Sequence, residues 1–369
     1  MKRFRRHAIS RIRMTMSHNK LDAVLITSPE DRFYLSGFYA EDVGVKESAG
    51  SLLITKEENI LLTDSRYLFQ AQDEAKGWQI LIYKKGLSQG IKEALLHLSH
   101  KKKVFIGYQP SFLTCKKMEQ IKKTLPNIEL KYDIEPILER IRRQKTKTEI
   151  ETIKRAIDVA EEVFDQIFHE LKVGMSEKEV AFKILEGLYK KADGPSFPPI
   201  VASGPNAALP HAVPTDRLIK EGEPIIIDMG AILNGYCSDM TRTVFLGEIS
   251  DYWKNIYKIV KLAQEKAQEA LRAGKICKEI DKIARTIIKE HGFGKEFLHS
   301  LGHGVGVAVH EPPYLSPRYR KKLLSGMVVT IEPGIYISQK GGVRLENMAL
   351  VLEDTAQILS SNRWFYDWD

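Results

Sequence analysis

A chain of 369 residues is long enough for two domains, and 43% hydrophobic with 28% charged residues is the composition of an ordinary soluble globular protein, not of a disordered or fibrous one. The formal charge of +8 reads at first as a nucleic-acid signal, but Lys2, Arg3, Arg5, Arg6, Arg11 and Arg13 supply six of those charges before any acid appears, leaving the other 356 residues at only +2. That is no basic field, so nucleic-acid binding is excluded as the main function, and the basic end is expected to be solvated and partly disordered.

The same N-terminus does not read as a signal peptide. Ala8-Ile9 is followed at once by Ser10, Arg11 and Arg13, which interrupts the apolar stretch such a segment needs. No window approaches eighteen apolar residues, so no membrane-spanning helix is expected. Cys115, Cys237 and Cys277 are scattered and odd in number, which fits neither a disulfide framework nor a Cys-x-x-Cys metal site. Free thiols in a reducing compartment, the cytoplasm, are the expectation.

Taken in order, residues 21–26 read as a buried strand that Ser28-Pro29 breaks. Ser51 to Thr55 and Asn59 to Thr63 read as two strands around the polar Lys56-Glu57-Glu58 turn. A helix is expected from Tyr67 to Lys76, a strand from Gln79 to Tyr83, and a helix from Gly90 to His100. Val104 to Gly107 is a further strand, and Ser111 to Leu125 a further helix. This alternation predicts a mixed sheet covered by helices, with no glycine-rich phosphate loop after any strand. The charged stretch Glu139 to Glu151 leads into a helix that Thr148 can cap with Glu151 as its partner. The domain boundary is placed there, giving an α/β domain over 1–144 and a second domain over 145–369.

The second domain carries a two-fold repeat. Helix, glycine break, helix and hairpin run once from Thr148 and again from Tyr252. L-K-V-G-M-S-E-K-E-V (171–180) lies one hundred positions before L-R-A-G-K-I-C-K-E-I (271–280), matching at Leu, Gly, Lys and Glu. Gly222 precedes Asp228 by six positions and Gly326 precedes Glu332 by six, each acid ending an apolar strand. Two similar halves facing each other across a cleft are expected.

The chemistry sits on those hairpins. Ile225-Ile226-Ile227 ends on Asp228, the chain turns at Asn234-Gly235, and the return presents Asp239. A buried strand has no structural need for an aspartate at its tip. Either a cation sits between these carboxylates, or Asp239 caps a turn while Asp228 pairs with an arginine such as Arg242. The second half adds Glu332, Glu346 and the glycine-flanked His303, so five such residues fall in matching halves. Four carboxylates and one imidazole suit hard or borderline divalent ions, and that much negative charge implies two of them. Two ions held about 3.5–4 Å apart generate a bridging hydroxide and clamp a tetrahedral intermediate.

At these residues the sequence resembles a known family. F-P-P-I-V-A-S-G-P-N-A-A-L-P-H (197–211), I-I-D-M-G-A-I-L-N-G-Y-C-S-D-M-T-R-T (226–243), G-H-G-V-G-V-A-V-H-E-P-P (302–313), T-I-E-P-G-I-Y-I (330–337) and G-G-V-R-L-E-N (341–347) resemble the pita-bread metallopeptidases, which include methionine aminopeptidase, Xaa-Pro aminopeptidase and Xaa-Pro dipeptidase (prolidase). S-P-E-D-R-F-Y-L-S-G-F (28–38) and L-L-T-D-S-R-Y (61–67) resemble the domain that precedes the catalytic one in the Xaa-Pro branch. The resemblance implies a mixed-sheet α/β domain followed by a pseudo-two-fold α+β pita-bread domain. It implies that Asp228 chelates one ion, Asp239 and Glu346 bridge both, and His303 and Glu332 complete the second. Manganese is the first expectation for the metal, with cobalt and zinc as alternatives. It also implies that Glu332 shuttles a proton, that His211 and His310 hydrogen-bond the substrate carbonyl, and that Thr241 and Arg344 orient the carboxylates. One departure stands out: the usual Arg-Ile-Glu-Asp is here Arg344-Leu345-Glu346-Asn347. The ligand is kept while its neighbour loses a charge, so activity is expected to survive with metal affinity altered.

The implied reaction is hydrolysis of the bond before proline, whose ring removes the amide hydrogen that many peptidases use to bind the backbone. Within it, the V-H-E-P-P context and the N-terminal domain lean to an aminopeptidase. A dipeptidase is the alternative, with Arg318 or Arg320 reading a free carboxylate. A non-catalytic binding protein on the same fold is a third reading. It is disfavoured because all five ligand positions are kept. The resemblance further implies a homodimer acting on proline-containing peptides, with no nucleic acid and no membrane as partner.

Overall fold

The computed structural model describes residues 3–42, 44 and 47–368. The chain divides into two compact units, residues 1–142 and 143–369.

The first unit is built on a six-stranded mixed sheet. Its strand order is Gln79–Ile82, Asn59–Thr63, Ser51–Thr55, Ala23–Ile26, Val104–Tyr108, Ile128–Asp133. The three central strands pair antiparallel and the outer pairings are parallel. Ala23, Leu25, Leu53, Ile60, Leu62 and Ile106 pack on one face against Ile91 and Ile121 of the helices Leu87–Ala94 and Cys115–Thr124. Two strands, Ser51–Thr55 and Asn59–Thr63, have the bounds their sequence predicts.

The basic N-terminus departs from expectation. Arg3–His18 is a helix, not a disordered end. Ala8, Ile9, Ile12 and Met16 recur at helical spacing and are buried to 1–2% exposure. Arg5 donates through Nε to the Tyr34 carbonyl at 3.0 Å, and Arg13 donates through Nε to the Thr55 carbonyl at 3.0 Å. The arginines therefore serve as surface anchors around an apolar stripe. Two helices, Pro29–Ser36 and Glu135–Arg142, and the strand Ile128–Asp133 were also not expected. For the first, Ser28 is an N-cap that accepts from the Asp31 amide, and Pro29 takes the opening position where a missing N–H costs nothing.

The second unit opens with the helix Lys147–Glu170, and its cap corrects the expectation. Thr146 and Glu149 form the capping box, not Thr148 and Glu151. The sequence T-K-T-E-I-E offers both registers. The register used places Ile153, Ile157, Ala160 and Phe164 in the core.

The two-fold repeat appears in the backbone. The helices Glu177–Lys191 and Cys277–Glu290 correspond. Gly174 donates its amide to the Ile219 carbonyl, as Gly274 does to Leu323, both at 2.9 Å. The opening amides of the two helices are covered in the same way. Glu177 and Lys178 donate to the Arg217 and Thr215 carbonyls, and Cys277 and Lys278 to those of Lys321 and Tyr319, all at 3.1 Å. Gly174 and Gly274 have φ of +90° and +83°, a conformation that glycine adopts without a Cβ penalty. The first half forms a sheet ordered Met240–Val244, Ile225–Met229, Ile200–Ser203, and the second a five-stranded sheet centred on Val328–Ile331. Among the described residues no helix is long and apolar enough to cross a membrane.

Candidate metal centre

Each half delivers its acids at strand tips. Ile225–Met229 pairs with Met240–Val244, placing Asp228 opposite Thr241 and leaving Asp239 just outside the pair. The hairpin continues past Gly230 to a turn in which Asn234 and Gly235 have φ of +50° and +75°. In the second half, Val328–Ile331 pairs with Asn347–Val351, so that Glu332 and Glu346 flank the last matched pair, Ile331 and Asn347. His303 lies in the short strand Gly302–Gly304 beside Val328–Ile331.

These residues line one cleft of about 540 Å³. Ligand atoms of Asp239, His303 and Glu346 all lie within 4.8 Å of one another. His303 Nε2 is 3.6 Å from Asp239 Oδ2 and 3.3 Å from Glu332 Oε1. The other imidazole nitrogen, Nδ1, faces the Gly304 carbonyl at 3.1 Å, which leaves Nε2 directed at the carboxylates. Asp228 stands apart from the three-residue cluster: its Oδ2 accepts from Arg344 Nη2 at 2.5 Å. Its buried Oδ1 has no hydrogen-bond partner among the described residues. His211 and His310 line the same cleft, and the His310 ring centroid is 4.3 Å from that of His303.

Arg344, not Arg242, is the arginine that pairs with Asp228. Thr241 and Arg242 are neighbours on one strand, so their side chains point to opposite faces. Thr241 faces the site, donating to Glu346 Oε2 at 2.7 Å. Arg242 faces away, bonding the Thr241 and Ser361 carbonyls and lying over the Phe365 ring. Arg344 spreads its guanidinium over Asp228, the Thr241 hydroxyl, the Tyr336 hydroxyl and the Pro210 carbonyl.

The electrostatics are those of a site short of positive charge. Burial, then Glu346, Asp228 and Glu332, push the Asp239 carboxyl well above the usual carboxylate range. Burial, then Glu332 and Asp228, do the same to Glu346. Asp228 is raised by burial against the pull of Arg344. Glu332 alone is held low: burial is the largest influence and opposes its charge, but the hydrogen bond to His303 and the nearby His303, His299 and Arg344 together outweigh it. Four carboxylates with one guanidinium among them, an orphaned buried oxygen and a converging imidazole fit divalent cations.

The chain is similar throughout to known proteins. It is 38% identical to the Xaa-Pro dipeptidase of Pyrococcus furiosus over 94% of this chain and 95% of that protein. The solved Xaa-Pro dipeptidase from Bacillus anthracis superposes with a TM-score of 0.87 at 34% identity, covering 97% of this chain and 98% of that one. The X-Pro aminopeptidase from Thermotoga maritima gives a TM-score of 0.83 at 35% identity, covering 93% and 96%. Residues 9–144 match the Creatinase/Prolidase N-terminal domain, and residues 151–353 match Metallopeptidase family M24. The chain belongs to metallopeptidase family M24. It is thus a hydrolase with the pita-bread fold, of a family that works with divalent metal ions.

Two residues of this M24 site escape the motif reading. His299 and Tyr336 are joined through Nε2 and Oη at 2.8 Å, and the Tyr336 hydroxyl also accepts from Arg344. His299 Nδ1 donates to the Ser300 carbonyl, so Nε2 accepts from the tyrosine. Asp228, Arg344, Tyr336 and His299 form one chain of hydrogen bonds along the cleft floor. The histidine was visible in H-S-L-G-H, but its partner lies 37 positions away. Asn347, where the family motif carries a charge, is fully buried and donates to Asn362 Oδ1 at 2.8 Å. In this M24 chain the position therefore ties the C-terminal segment to the strand beside Glu346.

Proposed function

We propose that this chain is an Xaa-Pro dipeptidase that holds two divalent ions on Asp228, Asp239, His303, Glu332 and Glu346. The observation that carries the reading is the convergence of Asp239, His303 and Glu346 ligand atoms within 4.8 Å, beside an Asp228 oxygen that has no hydrogen-bond partner among the described residues. The sequence leans to an aminopeptidase; the relatives support the dipeptidase alternative better. The Pyrococcus furiosus and Bacillus anthracis relatives carry that name. Neither Arg318 nor Arg320 is among the described residues that line the cleft, so carboxylate reading is not assigned to them.

When bound, the ions lower the pKa of water so that a nucleophile exists near neutral pH, and they polarise the scissile carbonyl. The chain does the rest. Glu332 takes the proton of the attacking water and passes it to the departing proline nitrogen. His211 and His310 hold the substrate carbonyl and stabilise the negative charge that develops on its oxygen. Arg344 and Thr241 fix the Asp228 and Glu346 carboxylates. Away from the acids, histidines and Arg344, Phe197, Pro198, Pro199, Val213 and Tyr314 form an apolar part of the cleft wall. Such a wall accepts a proline ring and excludes water from the reacting bond. Manganese is the proposed metal, with cobalt and zinc as alternatives. The proposal includes a homodimer, as the resemblance implies, and a cytoplasmic setting, supported by three cysteines that form no disulfide among the described residues, two of them buried.

Kinetics on Xaa-Pro, Xaa-Pro-Yaa and Xaa-Pro-Yaa-Zaa peptides with Mn, Co and Zn test the reading. Dipeptides should be cut fastest. Faster cleavage of the longer peptides would return the aminopeptidase assignment, and no cleavage of any Xaa-Pro bond would remove both.

A further inference from the structure

His211 sits exposed on the segment 204–214, which forms one wall of the cleft through Pro210, His211, Ala212, Val213 and Pro214. The backbone on either side of His211 therefore sets where its ring lies. Two anchors hold that backbone. In the middle, the Pro210 carbonyl accepts from Arg344 Nη1 at 3.0 Å, through the same guanidinium that bonds Asp228. At the ends, a single carboxylate gathers both flanks.

That carboxylate is Glu177, the first residue of the helix Glu177–Lys191 and fully buried. Its Oε1 accepts from the Ser203 amide at 2.7 Å, the Ser203 hydroxyl at 2.8 Å and Asn206 Nδ2 at 3.1 Å. Its Oε2 accepts from Asn206 Nδ2 at 3.0 Å, the Thr215 amide at 3.0 Å and the Thr215 hydroxyl at 2.6 Å. The Ser203 hydroxyl in turn accepts from Arg217, which forms an ion pair with Glu223. A buried acid is favoured here by the positive end of the helix dipole and by these donors.

The other half of the molecule shows what simple docking needs. There Cys277 occupies the equivalent helix position, and the same backbone contacts form with Lys321 and Tyr319. Docking of the returning segment onto the helix is thus achieved without a carboxylate. The carboxylate is found in the half that carries His211. Glu177 itself is not among the described residues lining the cleft, so it touches no substrate.

We infer that Glu177 is a positioning residue for His211: by clamping Ser203, Asn206 and Thr215 it fixes the wall on which His211 meets the substrate carbonyl. The inference rests on the peptidase reading above, because His211 has its role there. A catalytic group displaced by about 1 Å loses on the order of 10²-fold in rate.

The test is Glu177→Gln, which places an NH2 where an acceptor is required. Three readouts apply to the metal-reconstituted chain. Hydrogen exchange of amides 204–214 should accelerate while the rest of the chain is unchanged. kcat on an Xaa-Pro dipeptide should fall about 10- to 100-fold with bound metal unchanged, in line with the loss of a supporting partner. In a His211→Ala background, Glu177→Gln should cost little more, because the residue it positions is already gone. Unaltered exchange at 204–214, or a full multiplicative loss on top of His211→Ala, would overturn the inference. If Glu177→Gln does not fold, Thr215→Val removes one donor and leaves the carboxylate. It should raise exchange at 204–214 in the same direction, and no change there overturns the inference as well. A wild-type chain inactive on every Xaa-Pro substrate would sink the peptidase reading, while the exchange measurement still decides the clamp.

Discussion

Lys145 and Glu311 form a buried ion pair, and its removal one partner at a time is a demanding test of the second unit's packing. The Lys145 Nζ to Glu311 Oε1 distance is 2.7 Å, with side chains 1% and 2% exposed. At an effective dielectric constant of about 20 the gross attraction at this separation is about 6 kcal/mol. Much of it offsets the cost of taking both charges out of water, so the pair is worth far less than its attraction. Breaking it is another matter. Glu311→Leu leaves the Lys145 ammonium buried without the carboxylate that faces it at 2.7 Å, which costs about 3–5 kcal/mol. Replacing both, with Lys145→Met and Glu311→Leu together, removes the stranded charge and is expected to recover most of that loss. Urea denaturation followed by tryptophan fluorescence reads this directly, since Trp253, Trp364 and Trp368 all lie in residues 143–369. A single-variant cost under about 1 kcal/mol, typical of an exposed pair, would refute the burial argument. So would a double variant whose loss equals the sum of the singles.

Arg344→Lys keeps the charge but cannot bond Asp228, Thr241, Tyr336 and Pro210 together, so metal affinity or kcat/KM should fall about 10- to 100-fold, read by metal titration and kinetics. In Gly230→Ala the new Cβ would meet the Ser238 carbonyl oxygen at 1.9 Å, so the hairpin must shift; a loss of about 1–3 kcal/mol should appear as a lowered Tm. Ile12→Ala should cost about 2–5 kcal/mol, because Ile12 is 1% exposed on the N-terminal helix; an unchanged midpoint would restore the disordered basic end. Manganese should raise the Tm of chelator-stripped protein, with about 2.7 kcal/mol gained at 100 times its Kd, and no shift would count against binding to the folded site.

The parts of the molecule legible in the sequence are those set by local rules. Ser51–Thr55 and Asn59–Thr63 could be bounded because apolar runs flank a three-residue charged turn. Asp228 and Asp239 could be paired because Asn234-Gly235 fixes the hairpin, and Glu332 and Glu346 followed from the half-repeat. What stayed hidden depends on long-range geometry or competing signals. The N-terminal helix was masked by its arginines, although Ile9, Ile12 and Met16 carry a helical period. The Arg344–Asp228 pair spans 116 positions, and only strand alternation rules out Arg242, which is nearer in sequence. Glu177 carries no local signal of its clamp, since its donors lie 26 to 38 positions away in an irregular segment.

The most direct test of the account is metal content measured together with Xaa-Pro dipeptide hydrolysis, in wild type and in Asp239→Ala. Chelator-stripped wild type reloaded with manganese should bind two ions per chain and recover hydrolysis, and Asp239→Ala should lose both ions and activity. Hydrolysis that survives stripping, or an Asp239→Ala chain as active as wild type, would contradict it.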